Sequence, residues 1–256
     1  HNHGFVGTAN RGMSLDEQGD IVLLNSDTEV ANDWLDRLVA CAYRDSAIGT
    51  VTPFSNNATI CSFPRFCQDN PLPEGWDLTG LDGVFRSVNA QRWTEIPTAV
   101  GFCMYIKRRC LTDVGLFDEA RFGRGYGEEN DFCMRAAKRG WRHAFALDTF
   151  VFHEGGVSFA EEHESLQEGG VRAVSARHPD YLPKVEAHIR ENPARRERQA
   201  AALELLRRDA RPVVLAVLHD QGGGTEQHVH ELPAGLASEV AFLTLKPGAP
   251  GWVTLD

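Results

Sequence analysis

Ile21-Val22-Leu23-Leu24 is a short, unbroken apolar run that stops at Asn25-Ser26-Asp27. Consecutive apolar residues leave no polar face, so the run reads as a strand buried on both sides, as in a parallel sheet. The period then changes. Asn32 precedes Trp34, Leu35, Leu38 and Val39, whose spacing predicts a capped amphipathic helix, and Ile48 to Thr52 supplies another strand. Strand, helix and strand in that order call for an α/β sheet with right-handed crossovers.

Downstream, Ser55 to Trp93 is rich in Asn, Pro, Gly and Asp with little periodicity, which predicts a long excursion over the site. The apolar stretch Ala99 to Ile106 leads into Lys107-Arg108-Arg109 and a helix-like turn ending at Gly115. Glu128 to Arg139 has helical composition: Phe132, Cys133, Ala136 and Ala137 share a face, acids fill the first turn, and Gly140 supplies the stop. Phe145 to Phe152 is a further strand. From Tyr181 to Ala210 the chain turns charged and helical, broken at Pro193, as a linker would be. A second unit then opens with a strand at Pro212 to Leu218, the turn Gly222-Gly223-Gly224, a helix carrying His228 and His230, and a strand at Val240 to Leu245. The two histidines are read as ordinary helix residues.

Composition narrows the function classes. With 256 residues, 42% of them hydrophobic and 24% charged, the chain has length for one large domain and part of another. Its formal net charge of −10 excludes a general nucleic-acid binder, which needs clustered, unbalanced Lys and Arg. The 6 cysteines form no CxxC pair and are expected to be reduced. No stretch reaches the roughly 18–20 apolar residues of a membrane span, and no apolar signal region opens the chain. A cytoplasmic address is therefore expected, with peripheral association at the inner face of the plasma membrane as its extension. The abrupt start at His1-Asn2-His3-Gly4 and the equally abrupt end mark the chain as an expected internal piece of a longer protein.

Three constellations carry candidate chemistry. In extended geometry Asn25 and Asp27 point the same way, at the carboxyl end of a strand where α/β proteins bind ligands, and such a pair suits a divalent ion completed by phosphate oxygens and water. On spacing alone, a strand end and helix cap is the simpler reading. Glu128-Glu129-Asn130-Asp131 follows the glycine-rich Gly123-Arg124-Gly125-Tyr126-Gly127, a loop able to deliver carboxylates to a site. Acids in a first helical turn also complement the macrodipole, and Asp131 can pair with Arg135 at i+4, a structural role. His153, before Glu154-Gly155-Gly156, is either a metal ligand at a strand end or an ordinary hydrogen-bonded histidine; the absence of HExxH excludes a zinc-protease site.

Order along the chain discriminates further. Asn2-His3-Gly4-Phe5 with Gly7-Thr8-Ala9-Asn10-Arg11-Gly12 comes first, then Leu23-Leu24-Asn25-Ser26-Asp27-Thr28. Val100-Gly101-Phe102-Cys103, Arg108-Arg109 and Val114-Gly115-Leu116-Phe117-Asp118-Glu119 follow. Gly127-Glu128-Glu129-Asn130-Asp131-Phe132-Cys133-Met134-Arg135 precedes His153 with Gly155, Gly156 and Ser158. From Asn2 to Phe159 this series resembles the family-2 glycosyltransferases of the GT-A fold, with the rhamnosyl- and galactofuranosyl-transferase branch nearest. Two positions depart from the family pattern: Asn25 replaces the first carboxylate of the DxD motif, and Glu129 the aspartate of the Glu-Asp pair.

The resemblance implies an α/β nucleotide-diphospho-sugar transferase fold over residues 1–180, a helical linker over 181–210, and at 211–256 the first β-α-β of a second, Rossmann-like domain. The family's first β-α-β segment, which grips the base, is expected to precede His1, so that this piece alone is expected to be inactive or poorly stable. Asn10, Arg11, Asn25 and Asp27 would contact the donor. Asp27 and His153 would hold Mg²⁺ or Mn²⁺, and Gly101, Glu128 and Asp131 would line the acceptor side. Glu129 would be the base of an inverting transfer from a UDP- or dTDP-linked sugar to a glycan or lipid-linked acceptor. The segment from Val213 to Glu226 resembles the opening of family-4 GT-B glycosyltransferases, which implies a tandem enzyme of bacterial surface polysaccharide synthesis. A non-catalytic sugar-nucleotide- or carbohydrate-binding module is the alternative of another class, and a nucleotide diphosphatase the alternative enzyme.

Overall fold

The computed structural model describes residues 4–123, 125–155, 160–218, 231, 240–247 and 253–255, with backbone alone for 160–165, 241–243, 246–247 and 253–255. These residues fall into two compact units, His1–Arg198 and Gln199–Asp256. His1 to His3, Arg124, Gly156, Ser158, the triple glycine and the two expected helix histidines of the second unit lie outside the described residues.

The first unit begins with helix α1 (Gly4–Met13) and strand β1 (Ile21–Leu24), then the two-residue β2 (Thr28–Glu29), α2 (Trp34–Ala42) and β3 (Ile48–Phe54). A short 3₁₀ turn at Thr59–Cys61 leads to α3 (Leu78–Val88), β4 (Trp93–Ile96), β5 (Cys103–Ile106), α4 (Arg108–Val114) and α5 (Glu119–Phe122). The unit continues with α6 (Glu128–Ala137), β6 (Arg142–Phe150), β7 (Phe152–His153), α7 (Ala160–Arg177) and α8 (Tyr181–Glu191), and α9 (Arg195–Arg208) follows.

The main sheet has the order β1-β5-β3-β6-β4 and is mixed. β3 and β6 pair in parallel, while β5 runs antiparallel to both β1 and β3, and β4 antiparallel to β6. This corrects the expectation for Ile21 to Leu24: β1 is an edge strand, half-buried along its length, with Leu24 exposed. A continuous apolar run does not separate a doubly covered strand from an edge strand, because neighbour number is a tertiary property. The strands buried at every position are β3 and β5.

A core group beside β5 gathers Val6 and Met13 of α1, Met104, Ile106, Cys110, Leu111, Phe132, Cys133, Val174 and Tyr181. A separate aromatic group joins Phe54, Phe63, Phe85, Phe145 and Phe150, with Phe54 and Phe145 centroids 4.3 Å apart. Phe85 belongs to α3, a helix the loop-like composition of Ser55 to Trp93 concealed. Gly80 and Gly83 weaken its intrinsic propensity, yet Asp77 caps it by accepting from the Gly80 amide, and Leu81, Val84 and Phe85 bury one face. Tertiary burial outweighs local propensity there.

Helix α2 forms as expected, but its buried face is Arg37, Leu38, Cys41 and Ala42, while Leu35 and Val39 are exposed. The capping position is Asp33, and Asn32 instead adopts φ 53° and donates to Thr79 O and Asp82 Oδ2. The inverted face has an electrostatic cause. Arg37 pairs with Asp82 at 2.5 Å, and the backbone amide of Phe150 donates to the same carboxylate at 2.9 Å. Asp82 has no exposed surface, so its charge must be matched inside the protein, and the arginine that matches it turns the helix. The apolar run Ala99 to Ile106 is likewise strand only from Cys103, with Ala99 to Phe102 in a turn.

In the second unit β8 (Val213–Val217) pairs in parallel with β9 (Ala241–Pro247), and β10 (Val253–Leu255) pairs antiparallel with β9. Asn192 takes a left-handed conformation between α8 and α9, just before Pro193. All six cysteines are free, and no described helix is long and apolar enough to cross a membrane.

Replacing Asp82 with alanine strands the Arg37 guanidinium among buried groups. Asp82→Ala is expected to lower unfolding stability by about 3 kcal/mol in chemical denaturation, whereas replacing a fully exposed aspartate elsewhere changes it by less than about 0.5 kcal/mol.

Candidate functional site

Asn25 to Thr28 is where the strand expectation and the structure part. The Thr28 amide and hydroxyl both bond to Asn25 O, at 3.3 and 2.6 Å, which closes a turn. The extended i, i+2 relation between Asn25 and Asp27 is therefore absent, and neither residue caps α2. The turn leads into β2, which pairs antiparallel with β7 so that Thr28 faces His153, and Glu154 N donates to Asp27 O at 2.9 Å. That two-stranded ribbon, not the main sheet, brings His153 to Asp27: Nε2 lies 3.4 Å from Oδ2.

His153 is held on every side. Asn56 brackets its backbone, accepting from His153 N and donating to His153 O, each at 2.9 Å. The imidazole stacks on Phe102, centroids 5.4 Å apart. Its Nδ1 lies 2.8 Å from Asn57 O. A carbonyl only accepts, so Nδ1 carries the proton, and in the neutral form of the ring the Nε2 lone pair faces the Asp27 carboxylate. Two acceptors face each other, an arrangement that requires a proton or a cation between them. A metal-ligating histidine whose other nitrogen donates to a backbone carbonyl has this arrangement, and 3.4 Å lets one cation contact both atoms. Among the described residues no group of three or more His, Cys, Asp or Glu forms around it, which leaves room for phosphate oxygens and water. Asp27 and His153 thus fit a divalent ion.

Opposite them, the glycine-rich loop ends at Gly127, whose left-handed conformation starts α6 with Glu128 and Glu129. Glu128 is 5% exposed, and its Oε2 has no hydrogen-bond partner among the described residues. Burial, reinforced by the neighbouring Glu129 charge, pushes its carboxyl up to about 8. Burial also raises Glu129, which keeps part of its surface accessible, accepts from Asn130 Nδ2 at 2.9 Å and packs beside Gly101. A Cβ added at Gly101 would sit 3.7 Å from Glu129 Cγ, in ordinary contact. Burial first, and then the charges of Glu128, Asp27 and Glu129, raise the Tyr126 phenol, so all three carboxylates lie within electrostatic reach of one side chain.

Asp131 and Asn10 are taken up by structural partners. Asp131 has no exposed surface and is enclosed by Arg135 Nε at 2.7 Å, His178 Nε2 at 2.8 Å and Arg177 at 3.0 Å. Burial works to raise its pKa, but the hydrogen bonds from His178 and Arg135 more than offset it and hold the carboxylate below its usual range. Asn10 spends both ends of its amide on the Phe117 backbone, donating to O at 2.9 Å and accepting from N at 3.0 Å. Arg11 is exposed in the last turn of α1. Sequence reasoning missed Asn56, Asn57 and Tyr126. Ser55-Asn56-Asn57 follows β3 as Asn25-Ser26-Asp27 follows β1, so the carboxyl-end rule was applicable there too.

A family model described as "Glycosyltransferase like family 2" matches residues 3–168. The chain belongs to this family. Its fold is the mixed α/β fold of the GT-A glycosyltransferases. No curated protein matches the sequence. Among solved structures, the crystal structure of GalNAc-T7 with UDP, GalNAc and Mn²⁺ is similar, with a TM-score of 0.47 and 20% identity over 78% of this chain. The family-2 chain spans 41% of that protein's length.

The raised carboxyl of Glu128 has a stability consequence. A group whose folded pKa lies above its unfolded value contributes stability that is full below the unfolded pKa, near 4.5, and is lost as pH rises through about 8. Glu128→Gln is therefore expected to match the parent at pH 4 and to exceed it increasingly toward pH 8, by roughly 2–4 kcal/mol. Denaturation midpoints across that range measure the gap, and a constant offset contradicts it.

Proposed function

We propose that this chain carries the metal- and base-bearing part of an inverting glycosyltransferase site, moving a sugar from a nucleotide-diphosphate donor to a hydroxyl of a glycan or lipid-linked acceptor. The observation that carries the reading is the His153–Asp27 pair. Its imidazole tautomer is set by Asn57 O, and it lies in one electrostatic neighbourhood with the raised carboxylates of Glu128 and Glu129.

Asp27 and His153 would hold Mg²⁺ or Mn²⁺, which would offset negative charge on the departing nucleoside diphosphate. The remaining steps belong to the chain's own side chains. Glu129 accepts the proton of the acceptor hydroxyl while that oxygen bonds to the anomeric carbon from the side opposite the diphosphate. The carbon–oxygen bond to the diphosphate breaks and its electron pair leaves with the nucleotide. A base raised by burial is better matched to that proton than an ordinary surface carboxylate. Glu128, buried beside it, orients the acceptor. Asp131 and Asn10 act through position, as ties on the α6 turn and the Phe117 loop. Asn25 is a neutral donor-side helper and Arg11 an exposed cation available to the diphosphate.

The donor class is UDP- or dTDP-linked, with rhamnosyl or galactofuranosyl transfer and a role in bacterial surface polysaccharide favoured by the motif series. The likeness of Val213 to Glu226 to a family-4 opening supports fusion to a second glycosyltransferase domain, in an enzyme working in the cytoplasm at the inner face of the plasma membrane.

In the full-length protein, Glu129→Gln is expected to lower the transfer rate by about 10²–10⁴-fold with UDP binding retained, and a loss under about tenfold contradicts the base assignment. His153→Ala is expected to abolish the Mn²⁺-dependent part of UDP affinity in calorimetric titration. Equal affinity with and without Mn²⁺ in the parent protein removes the metal assignment.

A further inference from the structure

The segment that presents Glu128 and Glu129 is unusual in its backbone. Gly123, Gly125, Tyr126 and Gly127 all have positive φ, at 35°, 119°, 72° and 99°. Tyr126 is the costly member, since a side chain in that region is disfavoured and persists only where its surroundings impose it. The surroundings here are one face of α7.

Gly170, Val174, Arg177 and His178 follow the i, i+4, i+7, i+8 spacing of a single helical stripe. Gly170 lies against the Tyr126 peptide: a Cβ added there would fall 2.2 Å from Tyr126 O and 2.8 Å from its carbonyl carbon. Val174 Cγ2 closes on Gly127, where a Cβ would meet it at 3.0 Å. Beyond α7, His178 accepts from Lys138 Nζ on Nδ1 and donates from Nε2 to Asp131, and Arg177 bridges Asp131 and Asp118. The stripe therefore touches the loop before α6, its first residue's neighbour and its first-turn carboxylate in succession.

From this contact series we infer that α7 is the positioning wall for the base-bearing turn, and that Gly170 is the positioning residue that sets how closely the wall approaches Tyr126. The inference rests on the reading of Glu129 as base. Gly170 itself touches no reacting group. Its role is to let two backbones approach to a distance that holds Tyr126 in its left-handed conformation and aims Glu129 past Gly101. An adjacent glycine separates this role from helix propensity. A Cβ on Gly169 would meet only Arg172 Nη2, at 4.0 Å, so Gly169→Ala improves the helix without touching the loop, whereas Gly170→Ala improves the same helix and displaces the Tyr126 carbonyl.

The test uses the full-length protein carrying Gly170→Ala, Gly169→Ala or Val174→Ala, with transfer kcat, UDP affinity in Mn²⁺ and amide hydrogen exchange over residues 125–129 as readouts. Gly170→Ala is expected to lower kcat by about tenfold to a hundredfold, to accelerate exchange in the loop, and to leave UDP affinity within about twofold. Gly169→Ala is expected to match the parent in all three. A Gly170→Ala enzyme with parental kcat and exchange overturns the inference, as does an equal loss in Gly169→Ala or a loss that tracks UDP affinity. If Gly170→Ala does not fold, Val174→Ala, which thins the wall without a clash, must show the same pattern, and parental values there overturn it. Glu129→Gln in the same assay separates the two readings. Retained activity removes the base assignment, while the exchange data still judge the wall.

Discussion

A carboxylate with no exposed surface is the constraint on which the α6 half of this site depends. Asp131 sits in the first turn of α6 and is matched from three directions, by Arg135 on its own helix and by Arg177 and His178 at the end of α7. Each partner is committed further. Arg135 also donates to Val114 O and Leu116 O, Arg177 reaches Asp118, and His178 takes a hydrogen bond from Lys138. Removing any one exposes a buried charge to an unmatched environment, so the group orders α5, α6, α7 and the loop between α4 and α5 as a unit. Asn10 extends it to α1 by pairing with the Phe117 backbone on both its polar edges.

The half around His153 uses the same physics with different residues. Asp82, equally buried, collects Arg37, Asn32 and the Phe150 amide, tying α2 and α3 to the end of β6. Just beyond β3, Asn56 and Asn57 take over from the sheet. The first substitutes for a strand neighbour along His153, and the second sets its tautomer. The ring nitrogen that faces Asp27 is thus determined by a backbone carbonyl on a loop, itself braced by Asn70 through reciprocal bonds with Asn56. Neither half of the site stands on the main sheet alone. Each is a loop or ribbon beyond a strand end, located by buried polar groups matched inside the protein.

Glu128 marks the cost of this arrangement. It is enclosed, lacks a partner for Oε2 among the described residues, and lies beside a second carboxylate raised by burial. A protein selected only for stability would place an amide or an apolar residue there. Local conflict of this kind concentrates where chemistry is done, because a carboxylate tuned away from its ordinary range is useful only where it is expensive to keep.

The amino-acid sequence by itself determined the α/β class, the strands β1, β3 and β6, the helices α2 and α6, and the ordered motifs that place Asp27, Glu129 and His153 in one family. Those properties are local: apolar period, acidic first turns, glycine stops and motif order are all readable within short windows. Only the tertiary structure decided that β1 is an edge, that α2 buries Arg37 and exposes Val39, that Asn25 turns away from the geometry of Asp27, and that Ser55 to Trp93 contains a helix. Each outcome depends on a partner far along the chain. Arg37 turns inward because Asp82 is buried, and His153 reaches Asp27 because β7 pairs with β2. No sequence window contains both members of such a pair, and the electrostatic cost of a buried charge exists only once the fold has enclosed it.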